Sequence, residues 1–320
     1  MVDMVNRRFT FYAWGVVVFT LVVILWGDVV QATGSGDGCG AHWPTCNGEA
    51  LPVFQERKTF IEFFHRVTSG LSLLLTIGLL LWARRAFPKG HLARLGAGLS
   101  LFFMFTESLV GAGLVLFRLV GEDASLARAV VAPIHLMNTL FLIGSLALTA
   151  WWSSHPHQRP LWRGQGGVGW ALLLGFVGLL TVAASGALTS LGDALFPVRN
   201  TLEAMGRALT PGEHFLVQLR IYHPFIAVLV GVYVVLVANL VAALRPAAHT
   251  RLFARLAGVI FILQLGMGYL NVLQAAPLYT QLPHLLLSDL VWITWLLLTV
   301  SALSQGYHPR AKAVSVVEAR

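Results

Sequence analysis

The chain has 320 residues, of which 57% are hydrophobic and 11% are charged, and its formal net charge is +8. Because soluble domains carry about 25% charged residues, this composition excludes a soluble globular protein and indicates a polytopic membrane protein in a lipid bilayer. The basic residues lie in short segments between apolar runs, a pattern that sets membrane orientation. The positive charge therefore does not indicate nucleic-acid binding.

Eight apolar stretches approach the roughly 20 residues that a membrane-spanning helix needs. The first is long enough to span and no small-residue cleavage site follows it, so we expect a membrane helix there and not a cleaved signal peptide. The expected fold class is an all-α polytopic membrane protein with eight transmembrane helices. The predicted spans are 12–32, 63–83, 95–117, 131–152, 167–188, 220–243, 253–273 and 283–303.

Basic residues predict the orientation of these spans. Fourteen of the 22 Lys and Arg residues lie in segments on one side, which we expect to be cytoplasmic, with both termini there and the chain in the cell membrane. The longer loops, 33–62 and 189–219, would face outward. The basic residues of the predicted inner side are Arg7, Arg8, Arg84, Arg85, Lys89, Arg94, Arg159, Arg163, Arg245, Arg251, Arg255, Arg310, Lys312 and Arg320.

Both cysteines of the chain, Cys39 and Cys46, lie in the first outer loop, within "GSGDGCGAHWPTCNG". An even pair in an oxidising compartment is typical of a structural disulfide. A zinc site is less favoured, since only His42 is near and two more ligands would be needed. A redox-active pair is the other alternative, although the six-residue spacer differs from the short spacer of thioredoxin-like motifs.

The two halves of the chain repeat one another. His65 in "EFFHRVTSG" corresponds to His223 in "RIYHPFIAV", 158 positions later. Corresponding pairs of the later spans are Glu107 with Gln264, at an offset of 157, and His135 with His284, at an offset of 149. We therefore predict two pseudo-repeated four-helix bundles, at 1–152 and 167–320, joined by a cytoplasmic linker at 153–166. An even number of spans separates equivalent elements, so the repeats are parallel.

Four histidines, His65, His135, His223 and His284, each occupy the first turn or two of an even-numbered span, and we expect all four near the outer membrane face. One imidazole on each of two facing helices is the arrangement for bis-histidine haem ligation in a bundle. Mononuclear zinc or copper is less favoured, because two histidines leave the coordination incomplete. Small residues would let the helices approach, or would serve helix packing alone: Gly70, Gly111, Gly113, Gly231, Gly266 and Gly268.

The two predicted histidine sites differ in their charged neighbours. Glu62 precedes His65 by three positions, and Arg220 holds the equivalent position before His223. Because residues three apart share a helix face, we expect Glu62 beside His65, where a carboxylate can accept a proton. Arg220 would pair with a haem propionate. Pairing of Glu62 with Arg66, or capping of the helix N-terminus by Glu62, are the structural alternatives.

The motifs "TGSGDGCGAHWPTC", "IEFFHR", "QLGMGYLNVL" and "LPHLLL" resemble haem A synthase over nearly the whole chain. The resemblance implies an oxidoreductase that converts a methyl group of haem O to a formyl group by successive hydroxylation. It implies haem b on His223 and His284, and the substrate haem at His65 and His135. It also implies a catalytic role for Glu62 with the adjoining His65 and Arg66, and a disulfide between Cys39 and Cys46.

The expected partners are haem O, supplied by a haem O synthase, and an electron acceptor, for which a quinone is the candidate. Asp28 and Glu107 depart from the family pattern and are candidate proton-path residues. Two rival functions explain part of the pattern. One is a di-haem cytochrome b that exchanges electrons with quinone, and the other is a haem transporter or chaperone.

Overall fold

The structure is a computed structural model that describes residues 2–161 and 163–304. Within these ranges the chain is helical apart from its connections and one isolated β-bridge, between Cys46 and Glu49. The all-α prediction is confirmed. The helices are α1 Val2–Ala32, α2 Arg57–Ala86, α3 Leu92–Leu116, α4 Leu126–Ser154, α5 Gly167–Leu195, α6 Thr201–Ala208, α7 Phe215–Leu219, α8 Tyr222–Leu244, α9 Ala248–Leu273 and α10 Leu278–Leu303.

Eight helical segments are long and apolar enough to cross a membrane, so the predicted multi-pass architecture is confirmed. Seven of them are single helices, and the sixth joins α7 and α8 over Phe215–Leu244. The predicted sixth span, 220–243, begins too late, and the chain is not one regular helix there, since α7 ends at Leu219 and α8 begins at Tyr222. Short α6 lies in the long connection before it.

Several helices begin about a turn earlier than the apolar stretches predict. Helix α2 begins at Arg57 and α4 at Leu126, where predicted spans begin at 63 and 131. Ser125 caps the start of α4 by accepting from the Arg128 N–H, whereas the N-cap residue of α2, Glu56, makes no side-chain cap. His65 and His135 are consequently the ninth and tenth residues of their helices, in the third turn, so the prediction of the first turn or two is wrong for them.

The helices form two groups that meet along a seam. In the first, α1 packs against α2 and α4, and α3 packs against α2 and α4; in the second, α8 packs against α5 and α9, and α9 against α10. Across the seam α4 contacts α5 and α10, and α1 contacts α5 and α10. The Trp292 indole donates a hydrogen bond to the Leu140 carbonyl at 2.6 Å, which ties α10 to α4. The sequence predicted this pairing of bundles without indicating which helices meet.

Connections 33–56, 117–125, 196–214 and 274–277 lie at one end of the bundle, called the loop end below. Connections 87–91, 155–166 and 245–247 lie at the opposite end, where α1 begins and α10 finishes. The predicted basic residues Arg310, Lys312 and Arg320, and with them the predicted cytoplasmic C-terminus, lie outside the described residues.

Candidate functional site

Four histidines lie toward the loop end of the bundle, each seated over a glycine of the preceding membrane helix. A carbon added to any of these glycines would lie only 3.0–3.5 Å from the Cε1 atom of the facing imidazole. At three of these positions the added carbon would be closer than ordinary contact, so glycine leaves room for the ring, whereas the 3.5 Å separation at Gly111 is ordinary contact. The pairs are Gly27 with His65, Gly111 with His135, Gly186 with His223, and Gly268 with His284.

In the second bundle His223 and His284 face each other. Their ring centroids are 6.4 Å apart and their planes are inclined by 88°. Two metal–nitrogen bonds of about 2 Å would place the ligating nitrogens about 4 Å apart, and each centroid lies behind its nitrogen. The separation therefore suits one metal atom between the two imidazoles. The Ser185 hydroxyl is hydrogen-bonded with His223 Nδ1 at 3.0 Å, which leaves Nε2 as the ligating atom.

In the first bundle His65 lies over Gly27 and His135 lies over Gly111. The Nδ1 atoms of both rings are buried without a hydrogen-bond partner among the described residues. The Glu107 carboxylate is 3.4 Å from His135 Nδ1. Its equivalent in the second bundle, Gln264, places its amide nitrogen 3.3 Å from His284 Nε2. Each bundle thus sets the residue of its third span beside the histidine of its fourth.

Glu107 is held by polar side chains of α4. It accepts hydrogen bonds from Asn138 at 2.6 Å and from Thr139 at 2.5 Å. These donors satisfy both carboxylate oxygens inside the bundle, which reduces the cost of burying this acid. They also fix the carboxylate beside His135.

Glu62 is buried, at 3% exposure, and both its carboxylate oxygens are engaged. One oxygen accepts the Cys39 backbone N–H at 2.7 Å, and the other accepts from the Arg66 guanidinium. The predicted alternative of a Glu62–Arg66 pair is therefore observed. The capping alternative is wrong, because Glu56 is the N-cap residue of α2 and Glu62 lies more than a turn further along the helix.

Arg66 also binds the loop between the two cysteines. Its Nη1 donates to the carbonyls of His42 at 2.6 Å and Thr45 at 2.7 Å. The guanidinium of Arg66, the residue that follows His65 in the sequence, therefore joins the loop to Glu62. Charge-assisted bonds of this kind are stronger than neutral ones, so Glu62 and Arg66 together hold the loop on α2.

Cys39 and Cys46 form a disulfide, with 4.4 Å between their Cα atoms. Both residues are 0% exposed. Reactive cysteines occupy accessible sites, whereas buried ones are inert. Burial favours the structural interpretation of this bond over the redox-active one.

In the second bundle Arg220 is buried, at 6% exposure. It donates to the Gly192 carbonyl at 2.9 Å and lies 3.4 Å from an Asp193 oxygen. Its Nη1 is buried without a hydrogen-bond partner among the described residues. A buried guanidinium with an unused donor is suited to a further anion, such as a carboxylate.

Polar groups without hydrogen-bond partners among the described residues lie at both histidine pairs, and the residues of the second pair suit a haem. The second bundle has paired imidazoles at a suitable separation, a close glycine under each ring and an unsatisfied arginine donor. In the first, the imidazole Nδ1 atoms lack partners and the glycines again clear space. The sequence did not single out Gly27, Gly186, Ser185 or Asp193. The offset between Gly27 and Gly186 is 159, within one residue of the offset of 158 between His65 and His223, and would have identified the two glycines.

Fold and site together define a duplicated all-α membrane protein that presents one histidine pair per four-helix unit at one end of its bundle. Residues 10–296 match the model of the COX15-CtaA family, described as cytochrome oxidase assembly protein. The chain belongs to this family.

Curated relatives agree with this membership. A protein of Halalkalibacterium halodurans named heme A synthase is 29% identical over 282 residues, covering 86% of this chain and 90% of that protein. One of the same name from Exiguobacterium sibiricum is 38% identical over 113 residues, covering 35% of this chain and 38% of that protein. A protein of Thermus thermophilus named protoheme IX farnesyltransferase is 56% identical over 299 residues, covering 93% of this chain. The chain spans about half the length of this Thermus relative, at 49%.

Proposed function

We propose that this chain is a haem A synthase, an oxidoreductase that converts a methyl group of haem O to a formyl group. The observation that supports this best is the difference between two histidine pairs at equivalent positions. One pair lies beside the Glu62–Arg66 ion pair that holds the disulfide loop, and the other lies beside Arg220, whose Nη1 has no hydrogen-bond partner among the described residues. Family membership and the relatives named heme A synthase support the same conclusion.

In the second bundle we assign His223 and His284 as the ligands of a resident haem b. Arg220 would bind a propionate of that haem through its free donor. A haem there supplies one-electron chemistry. The protein would fix the ring through Ser185 behind His223 and through the close glycines behind both imidazoles.

In the first bundle we assign His65 and His135 to the iron of the substrate, haem O. Glu62 is the carboxylate nearest in sequence to this pair and would accept a proton lost during oxidation of the methyl group. For that role Glu62 must exchange a hydrogen bond from Cys39 or Arg66, so the disulfide loop would regulate when the carboxylate is free. Arg66 would hold the carboxylate in place between turnovers.

The proposed partners follow from this reaction. The Thermus relative carries the name of a farnesyltransferase acting on protohaem IX, and it is about twice as long as the region it shares with this chain. Addition of a farnesyl group to protohaem IX gives haem O, so a farnesyltransferase would supply the substrate. A membrane quinone would accept the electrons. We place the loop end at the outer face of the cell membrane and both termini in the cytoplasm.

The test is haem analysis of purified variants expressed with a haem O source. We expect His223→Ala and His284→Ala to lose bound haem b, and His65→Ala and His135→Ala to keep haem b while producing no haem A. His157→Ala, at an exposed position of the connection 155–166, is the control and should match the wild type. Unchanged haem A in both first-bundle variants would contradict the proposal.

Haem analysis of protein expressed in this way also separates the rival functions. An electron-carrying di-haem cytochrome would bind two haems and give no haem A. A transporter or chaperone would give none either, and Glu62→Ala would leave its haem binding and delivery unchanged. In cells that make haem B but no haem O, this chain should yield no new haem; appearance of haem O would instead assign farnesyl transfer to this region of the Thermus relative.

A further inference from the structure

A basic cavity lies between α2 and α3, at the end of the molecule opposite the loop end. Its volume is about 420 Å³, within the range of about 300–1,000 Å³ that is usual for small-molecule sites. Arg84 of α2, Arg94 of α3 and His91 of the connection between them line this space, which is called the α2–α3 cavity below. None of the four site histidines lines it, so the cavity is separate from both proposed haem sites.

The arginines around the α2–α3 cavity have no acidic partner in the part of the chain that the structure describes. Neither Arg84 nor Arg94 forms an ion pair there. Arg94 donates to the Phe87 carbonyl at 3.4 Å, which holds its guanidinium beside the connection. Arg159 donates to the carbonyl of Gly90, a residue that also lines the cavity, at 3.1 Å. Like charges repel when they are brought together, so this cluster is suited to an anion that pairs with several guanidinium groups.

His91 offers a further hydrogen-bond donor to the cavity. Its Nδ1 accepts the Ala93 backbone N–H at 3.1 Å, so the neutral ring carries its proton on Nε2. The ring also stacks on Phe87, with 4.4 Å between the ring centroids, which fixes its orientation. The imidazole is therefore an oriented N–H donor beside the arginines.

Apolar groups continue the cavity from its basic end into the membrane-spanning part of both helices. Leu80 lies four residues before Arg84, so it is one turn deeper on the same face of α2. Gly98 has the same relation to Arg94 in α3, because it lies four residues after it. Both Leu80 and Gly98 line the cavity, and a carbon added to Gly98 would meet nothing within 4 Å. An anion with an apolar tail would therefore find partners along the whole cavity.

We propose that the α2–α3 cavity binds an anionic phospholipid, with the phosphate on its cationic groups and an acyl chain along Leu80 and Gly98. Basic pockets between membrane helices are the usual sites for anionic head groups. The connections at this end, 87–91, 155–166 and 245–247, contain no Asp or Glu. They therefore offer no carboxylate to the cationic part of a zwitterionic head group, which favours an anionic one. The site does not depend on the proposed reaction.

Native mass spectrometry of the purified, haem-loaded protein measures this binding. The probes are phosphatidylglycerol and phosphatidylcholine with the same acyl chains. We expect the wild type to bind phosphatidylglycerol more tightly than phosphatidylcholine. The double substitution Arg84→Gln and Arg94→Gln should weaken phosphatidylglycerol binding by roughly tenfold or more, because it removes two charges that attract the phosphate.

A second substitution distinguishes a lipid from a free anion. Gly98→Leu fills the apolar end of the cavity and leaves the arginines in place, so it should weaken phosphatidylglycerol binding as well. Excess inorganic phosphate should not displace the lipid from the wild type, because it has no acyl chain to occupy the apolar end. Displacement by inorganic phosphate, with normal lipid binding in Gly98→Leu, would overturn the lipid assignment.

Arg251→Gln is the matched control, since it removes an exposed arginine at the same end of the molecule, on α9 of the other bundle. This variant should bind phosphatidylglycerol as the wild type does. Equal binding of the two lipids, or an equal loss of binding in the control and in the double variant, would show attraction by net charge alone and overturn the site. Unchanged binding in the double variant would overturn it too.

Circular dichroism verifies the helical content of each variant. Arg84→Gln alone carries the test if the double variant does not fold, because Arg84 is exposed and its replacement leaves the bond from Arg94 to Phe87 intact. The single variant should bind phosphatidylglycerol several times more weakly than the wild type, and equal affinity would contradict the proposal.

Discussion

At the scale of single residues, the recurring unit of this molecule is an imidazole lying on a glycine. The sequence predicted the four histidines because a duplicated chain repeats them at nearly constant offsets. It offered less guidance about the glycines. Gly111 and Gly268 lie under histidines, whereas Gly70 and Gly266 have open space beside them. Glycine is common in membrane helices for packing alone, so only three-dimensional contacts separate these two uses.

Replacement of Gly268 by alanine should weaken haem b binding. The added carbon would lie 3.0 Å from His284 Cε1, closer than ordinary contact, and would displace the ring. Overpacking of this kind costs on the order of 1–3 kcal/mol, which corresponds to roughly 5- to 150-fold weaker binding. Haem retained through repeated washing, measured by absorbance, is the readout.

Gly266→Ala is the control for this substitution, since it adds the same methyl group two residues away with nothing within 4 Å. Its haem content should equal that of the wild type. Equal haem loss in both variants would show that the flexibility of α9, and not the contact between Gly268 and His284, determines haem binding.

Arg220→Leu should release haem b faster, because the variant lacks the guanidinium donor that is free for a propionate. It also leaves Asp193 without its cation, and removal of one member of a buried pair costs about 3–5 kcal/mol. The variant Arg207→Leu removes a more exposed arginine that is paired with Glu213, and should not alter haem release. Transfer of haem to excess apomyoglobin gives both rates. Equal rates in the two variants would contradict the propionate assignment.

At the scale of elements, hydropathy predicted eight membrane helices and the described residues contain eight. Hydropathy did not predict the helix ends or the break before Tyr222. Caps and local turns fix such ends, and caps and turns leave little trace in a hydropathy window. The Glu62–Arg66 pair is an i,i+4 pair within one helix and was predictable as an alternative. The attachment of that pair to the disulfide loop was not, since it depends on where a long connection folds back.

Replacement of both cysteines by serine should loosen the loop from α2 and reduce haem A formation. The disulfide closes a short loop and contributes on the order of 2 kcal/mol. Without it, the Cys39 N–H and the carbonyls of His42 and Thr45 are held less firmly against Glu62 and Arg66. We expect faster proteolysis within the connection 33–56 and lower haem A yield, with haem b unchanged because its ligands lie in the other bundle.

The control is a substitution that removes a different contact of the connection 33–56. Lys58→Ala removes an exposed ion pair with Asp37, a kind of pair that contributes little. Proteolysis of this variant should match the wild type. If the serine variant makes haem A at the normal rate despite rapid cleavage, the loop has no part in positioning Glu62.

At the scale of the whole molecule, duplication was visible in the sequence, but the seam was not. Contacts across the seam involve residues that the sequence repeat did not single out. Examples are the Trp292 indole against the Leu140 carbonyl and Leu296 against Gly144. Asp289, five positions after His284, attracted no hypothesis, because one sequence does not indicate which face of α10 meets the first bundle. The fold buries its carboxyl group completely, with no hydrogen-bond partner among the described residues.

Burial is uneven among the membrane helices: 67% of the apolar window of α10 is buried, but only 17% of those of α3 and α9. In a bilayer, lipid would therefore surround most of the two helices that carry Gly111 and Gly268. Helices respond to a mismatch in bilayer thickness by tilting, and a tilt of α9 would alter the space beneath His284. Reconstitution into lipids of graded acyl length should change haem b retention with an optimum at one thickness, and haem transfer from such vesicles would show it. With such an optimum, the bilayer would form part of the surroundings of the proposed haem site.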